Sequence, residues 1–430
     1  MKAFYKMWFL LITTVTMVYS QDWPLAPEVW SKPVLLDSAL NQKWKWYDTP
    51  SFTRNFDTIY YTGGNGVYRA VRKIINQNIV WDTLRLNEKI NIPGQYAPFS
   101  CSISRDGKRL YIAHWTVGKG VDIWKSIWDK DSKDWGAMVN MGDVINTRRG
   151  DGYLYEVSED TVYTISNHIG LATIYYYIFD KQKNEWAIAD SFSNVYRHPF
   201  RDGDKYGLSL TSNKKKLYLG QHYQRYDTNQ PLDQTRKRRE ELAVSYYDEN
   251  KKEWGTPYYL NINSQGYYPD SIKWPGSIAG GSDMYPWISE DGKVLIFSSD
   301  RDVIVDSLGN GDFNPKLYIS YLLKDENGEP VGVETDENNN PIDYYLFPNY
   351  PNPFNSSTII SYNLPKSEHV TIIIFDLLGK EIAKLIDKEM NAGMHTIVFA
   401  PQLYNLASGV YIYRLKTPTQ QISKQMVYLK

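Results

Sequence analysis

The chain has 430 residues, room for two or three domains at the usual size of about 100–200 residues each. Lys and Arg total 48 against 49 Asp and Glu, a formal net charge of −1 that gives no global attraction to nucleic acid or an anionic membrane. Hydrophobic residues at 42% and charged residues at 23% exclude wholesale disorder, and the single cysteine, Cys101, excludes an intramolecular disulfide and a cysteine-built zinc cluster. Aromatic residues reach 15%, with 36 Tyr and 14 Trp, types that favour strands and binding faces.

The chain opens with Lys2 and Lys6 ahead of a largely apolar stretch over residues 7–19. Val18 and Ser20 then stand at −3 and −1 of a cut before Gln21. This is the layout of a secretory signal peptide over residues 1–20, too short to span a bilayer core of about 30 Å. No cysteine stands directly after the cut, which argues against a lipid-anchored lipoprotein. No later segment approaches about 20 continuous apolar residues, so the mature chain is expected to carry no transmembrane segment.

Residues 21–335 are dominated by internal repeats. A Trp-headed strand recurs five times, at Trp30, Trp81, Trp135, Trp186 and Trp254, spaced 51–54 residues apart with one interval of 68. A second strand recurs around Ile59, Leu110, Val162, Leu217 and Leu295. A third recurs as VYRAVRKI, VDIWKSIW, TIYYYIF, LAVSYYD and KLYISYL. An apolar first strand precedes each second one, clearest in PFSCSISRDGK and MYPWISEDGK. Four antiparallel strands per unit in tandem predict an all-β fold, a β-propeller of five blades, with six (one unit degenerate) as the alternative. The strand at Trp30 precedes any complete unit and the fifth unit lacks an outer strand, so the N-terminal strand is expected to close the ring. The units resemble the TolB-type, WD-like propeller repeat. Tyr285-Pro-Trp-Ile-Ser-Glu-Asp-Gly-Lys293 through Arg301 carries that resemblance most fully and residues 97–114 less so, while the other three units lack the Asp-Gly-Lys turn. Protein-binding and non-catalytic propellers belong to that family, so the resemblance implies binding.

Residues 324–343 hold seven acidic residues against one Lys, and 336–343 reads as an acidic, Asn-rich linker. From residue 344 on, short strands are expected at 358–362, 370–375, 381–386, 395–399, 410–416 and 423–429. The second and third flank the turn Asp376-Leu-Leu-Gly379 as a hairpin, and the whole predicts a small Ig-like antiparallel sandwich. Residues 344–430 resemble the type A C-terminal sorting domain of the type IX (Por) secretion system. The matching pieces are Tyr350, Pro351, Asn352, Pro353 and Phe354, the hairpin with Gly379, Ala407-Ser-Gly409-Val-Tyr411 and the closing Lys424–Lys430 run. The resemblance implies passage across the outer membrane after Sec export, the secretion machinery as partner, and a secreted or surface-attached product whose tail is commonly removed or exchanged for an anchor.

Site candidates collect at one end of the repeats. Asp48, Asp151, Asp204 and Asp283 begin four of the first strands, while His114, His168 and His222 end three consecutive second strands and Arg301 follows the fifth. Insertions at 224–240, 264–282 and 299–314 fall at the same end, where loops on a rigid scaffold carry binding residues. Asp at a strand start is also an ordinary turn residue bonding its own backbone. Tyr267, Tyr268 and Trp274 offer aromatic platforms for sugars or cover for the sheets, and the TRKRREE run at 235–241 reads as a solvated loop. No cofactor or metal is assigned; a transition metal would fall to the three histidines, and calcium to the oxygen-rich DSLGNGDFN run at 306–314, which lacks the closing Glu of a calcium loop. The five repeated tryptophans are assigned to packing between blades. The leading functional reading is a secreted, non-catalytic propeller that binds a protein or glycan. The alternative is a glycoside hydrolase drawing two carboxylates from Asp48, Asp151, Glu156, Asp204 and Asp283. The sequence carries no G-x-S-x-G elbow, H-E-x-x-H, P-loop or dinucleotide fingerprint.

Overall fold

A computed structural model of the chain describes residues 25–36, 48–54, 57–63, 66–75, 78–92, 98–116, 120–147, 150–166, 173–191, 205–225, 237–262, 283–299, 301, 304–305, 311–312, 315–329, 331 and 343–430. The expected signal peptide lies outside them. The described residues form strands and one short 3-10 turn at Pro401–Tyr404, and no helix among them is long and apolar enough to cross a membrane.

The repeats fold as tandem antiparallel sheets, each running from an innermost to an outermost strand. The first orders Asp48–Phe52, Thr58–Gly63, Gly66–Ile75 and Asn78–Arg85. The second orders Ser100–Ile103, Arg109–Thr116, Gly120–Asp129 and Asp134–Trp135, and the third Asp151–Ser158, Thr161–Ser166, Thr173–Asp180 and Glu185–Ser191. The fourth orders Lys205–Leu210, Lys216–Arg225, Lys237–Asp248 and Glu253–Trp254. In the fifth, Asp283–Ile288, Val294–Ser299 and Lys316–Lys324 are followed by Val29–Trp30 from the N-terminus, Trp30 lying opposite Leu322. Each innermost strand lies beside that of the next sheet, and the fifth lies beside the first. This is the radial arrangement of a β-propeller.

The tryptophans show why the sheets pack as they do. All five sit in outermost strands, and each joins an apolar cluster shared with the preceding sheet. Trp135 packs with Tyr60 and Val67 of the first sheet, Trp254 with Tyr153 and Tyr163 of the third, and Trp30 with Tyr218, Leu242 and Val244 of the fourth. Trp81 of the first sheet packs with Trp287 and Val294 of the fifth, and Trp186 lies partly buried against Tyr111 and Ala113 of the second. Rings this large remove more apolar area from water than any other side chain, so one per interface goes far toward filling it.

A buried carboxylate fixes the N-terminal strand. Glu28 is fully buried, accepts hydrogen bonds from Trp30 Nε1 at 2.8 Å and the Tyr218 hydroxyl at 3.0 Å, and pairs with Lys216 Nζ at 3.1 Å. Asn261 clasps the Trp30 backbone, receiving its N–H and donating to its carbonyl, both at 2.9 Å.

The C-terminal residues form two facing sheets. One orders Tyr345–Leu346, Thr358–Leu364 and Gly393–Phe399; the other orders Glu381–Met390, Glu368–Phe375, Gly409–Lys416 and Gln421–Tyr428. The expected hairpin turn is present: Asp376 Oδ1 accepts from the N–H groups of Leu378 and Lys380, and Gly379 takes a φ of +82° that other residues rarely adopt. Val370, Ile372, Ile374, Tyr413 and Leu415 fill the space between the sheets.

The Glu28 network generates a stability prediction. Removing one partner of a buried ion pair costs about 3–5 kcal/mol, so Glu28→Ala is expected to lose that much in denaturant unfolding and Glu28→Gln less. An unchanged midpoint for Glu28→Ala would show that the network does not hold the N-terminal strand.

Candidate functional site

The end of the sheets where the innermost strands begin gathers the predicted strand-start aspartates, His114 and Arg301 as far as the structure describes them. Asp48, Asp151 and Asp283 are each the first residue of an innermost strand, and His114 lies near the end of a second strand. Asp204, His168, Tyr267, Tyr268 and Trp274 lie outside the described residues, and of Asp48 and His222 only the backbone is described.

The described side chains are enclosed rather than displayed. Asp283 is fully buried and accepts a 2.6 Å hydrogen bond from Arg301 Nη2, which also donates to the Ile262 carbonyl at 3.0 Å. The Arg301 guanidinium rests over the rings of Phe297 and Tyr318. Two predicted binding residues therefore neutralise each other. His114 is 4% exposed, with Nδ1 2.9 Å from the Trp115 carbonyl. Asp151 is buried, with Oδ2 accepting from the Thr147 N–H. Burial pushes its carboxyl up to about 6, against hydrogen bonds from Ser166 and Thr147 and with help from the nearby Asp122 carboxylate.

Two expectations are corrected here. Glu156 does not join this end: Arg109 grips it from the second sheet through Nε at 2.7 Å and Nη2 at 2.8 Å, and the Tyr111 hydroxyl donates at 2.6 Å. Its position near the far end of its strand makes it a clamp between sheets. The charged run at 235–241 is largely strand rather than loop, because the hairpin extends until Arg225 faces Lys237 and His222 faces Glu240. Within the 299–314 insertion, Ile304–Val305 and Gly311–Asp312 likewise pair as a small hairpin. Among the described residues, no group of three or more His, Cys, Asp or Glu side chains is placed to hold a metal ion.

At the opposite end, the base, sequence reasoning missed Arg105. It leaves the turn after Ser100–Ile103 and reaches across the axis. Its Nη2 lies 2.8 Å from the Ile288 carbonyl, 3.3 Å from the Leu210 carbonyl and 3.2 Å from the Tyr155 hydroxyl, so one side chain ties the second sheet to the third, fourth and fifth. Its carbonyl receives the Arg54 N–H from the first sheet at 2.9 Å. The guanidinium also stacks on Trp287, whose other neighbours include Phe52 and, from the C-terminal region, Tyr350. In the sequence Arg105 is one residue of an Asp-Gly turn, and no local pattern marks its reach.

Residues 349–429 match the family described as the secretion system C-terminal sorting domain. No curated protein matches the chain. Among solved structures, a putative TolB from Agrobacterium tumefaciens is similar at 11% identity and a TM-score of 0.36, over 87% of this chain and 98% of that one. An α-L-arabinofuranosidase from Lactobacillus brevis is similar at 14% identity and 0.39, over 70% and 97%. PorZ, a surface component of the type IX secretion system of Porphyromonas gingivalis, is similar at 11% identity and 0.29, over 89% and 51%. The chain is thus a secreted β-propeller protein with a type IX sorting domain, exported across the outer membrane to the cell surface or the extracellular space.

The raised Asp151 carboxyl sets a pH dependence. Its folded pKa of about 6 lies above the ordinary value of about 3.9, so its contribution to stability is full at the acid end and is lost as the pH rises through about 6. Asp151→Asn is expected to flatten this decline, at most about 1.4 kcal/mol per pH unit, in melts taken from pH 4 to pH 7. A pH profile identical to that of the parent would remove Asp151 as its source.

Proposed function

We propose that the exported chain is a five-bladed propeller over residues 21–335, closed by its N-terminal strand, joined through 336–343 to the sorting domain over 344–430, and cut from its signal peptide before Gln21. We read it as a non-catalytic module that binds a protein or polysaccharide through the end where the innermost strands begin. The observation that carries this reading is the state of the carboxylates: Asp283 is held by Arg301 and Glu156 by Arg109 and Tyr111. Glycoside hydrolysis needs two carboxyl groups about 5–10 Å apart flanking an open site. Paired and buried groups suit a framework that positions loops.

One observation favours a second reading. A carboxyl raised to about 6, as Asp151 is, suits a general acid. Incubating the full chain with a panel of soluble polysaccharides, and following protein depletion and reducing ends in the same tubes, separates the two. Depletion without new reducing ends is the expected result. Reducing ends that vanish with Asp151→Asn would establish the glycosidase, and neither signal would direct the search to protein ligands.

A further inference from the structure

The sorting domain does not hang from the propeller; it is built into its base. Phe347 and Ile359, 3% and 0% exposed, belong to the same apolar cluster as Phe52 and Trp81 of the first sheet and Trp287, Ile319 and Tyr321 of the fifth. The Tyr321 and Phe347 rings lie 4.6 Å apart, and the Tyr321 hydroxyl bonds the Ser361 hydroxyl. Arg72, buried in the first sheet, donates to Ser357 Oγ at 2.7 Å. Tyr350 sets its ring against Trp287, 6.0 Å between centroids, and burial pushes its phenol up while the Arg105 charge opposes this. Val34–Leu35, beside the closing strand, lies next to Gly393–Phe399, whose Val398 packs on the shared cluster.

An apolar core shared by two domains, with hydroxyl bonds at its margin, is the anatomy of a standing interface. We propose that the sorting domain is a seated subunit of the propeller, held by this surface and not by the peptide connection, and that it stays bound when the connection at 336–343 is cut. The tail then acts as a base plate that covers Trp287, Tyr321 and the axis-spanning Arg105. This inference is independent of what the opposite end binds.

The test uses the full chain with one site-specific protease sequence inserted within 336–343. After cutting, both fragments are expected to co-elute at the volume of the uncut chain, and to do so in high salt, since salt screening does not weaken an apolar surface. Two separate peaks under native conditions would overturn the proposal. Val398→Asp, at a half-buried position of the interface, is expected to split the peak after cutting; a cut variant that stays whole would count against this surface as the one that holds. Should that variant not fold, the elution of the unsubstituted cut chain decides alone: one peak supports the seated domain, and two peaks refute it.

Discussion

An innermost strand has a hydrogen-bonded neighbour on one side only, and the backbone groups of its other edge still need partners. Here short hydroxyl side chains of the neighbouring sheet supply them. The Thr49 hydroxyl receives the N–H of Cys101 at 3.1 Å, and the Ser51 hydroxyl that of Ile103 at 3.0 Å. Ser100 donates to the Gly152 carbonyl at 2.6 Å, Ser102 to that of Leu154, and Ser209 receives the Ile288 N–H at 3.1 Å. These bonds cross from sheet to sheet and set how closely and at what height the sheets approach. Arg105 continues the pattern at the base, where the Leu210 and Ile288 carbonyls meet a guanidinium instead of a hydroxyl. The spread of the sheets behind this edge leaves wedge-shaped gaps, and these are the spaces that the tryptophans occupy.

Much of this was legible because repetition amplifies weak signals. The strand families, the outermost place of every tryptophan and the Asp376–Gly379 hairpin were each readable from periodicity and turn chemistry. The turns at the base held more than their motif suggested. Two units keep Ser-x-Asp-Gly and the others do not, yet every unit closes its first strand with a hydroxyl bonded to an Asp or Asn. The pairs are Thr53 with Asp57, Ser104 with Asp106, Ser158 with Asp160, Thr211 with Asn213, and Ser289 with Asp291. In the fourth unit Lys214 takes a positive φ of 58° at the place where Gly107 and Gly292 take 74° and 72° in the second and fifth. The physical requirement persisted where the letters changed.

What stayed illegible were contacts with no local signature. Glu28 meets Lys216 across 188 residues, and Arg105 meets Ile288 across 183, and nothing near either residue announces a partner. Asp283 and Arg301 were each visible as unusual, but their pairing depends on the turn that brings a strand start beside a strand end. Glu156 was grouped with the strand-start carboxylates on the strength of its residue type, whereas its place five residues along the strand puts it beside Arg109.

The pairing of Trp30 with Leu322 has a consequence for the order of folding events. The fifth sheet draws strands from both ends of the propeller region, so it cannot be completed until the chain has emerged to about residue 324. Contacts of such sequence separation close slowly, because the entropy of a long loop is lost before any contact compensates for it. Until then the fourth sheet presents Tyr218, Leu242 and Val244 to water in the place that Trp30 will fill. The propeller therefore stays incompletely packed at this one interface until the fifth sheet is complete. The fifth sheet gains its outermost strand only when the beginning of the chain returns to it.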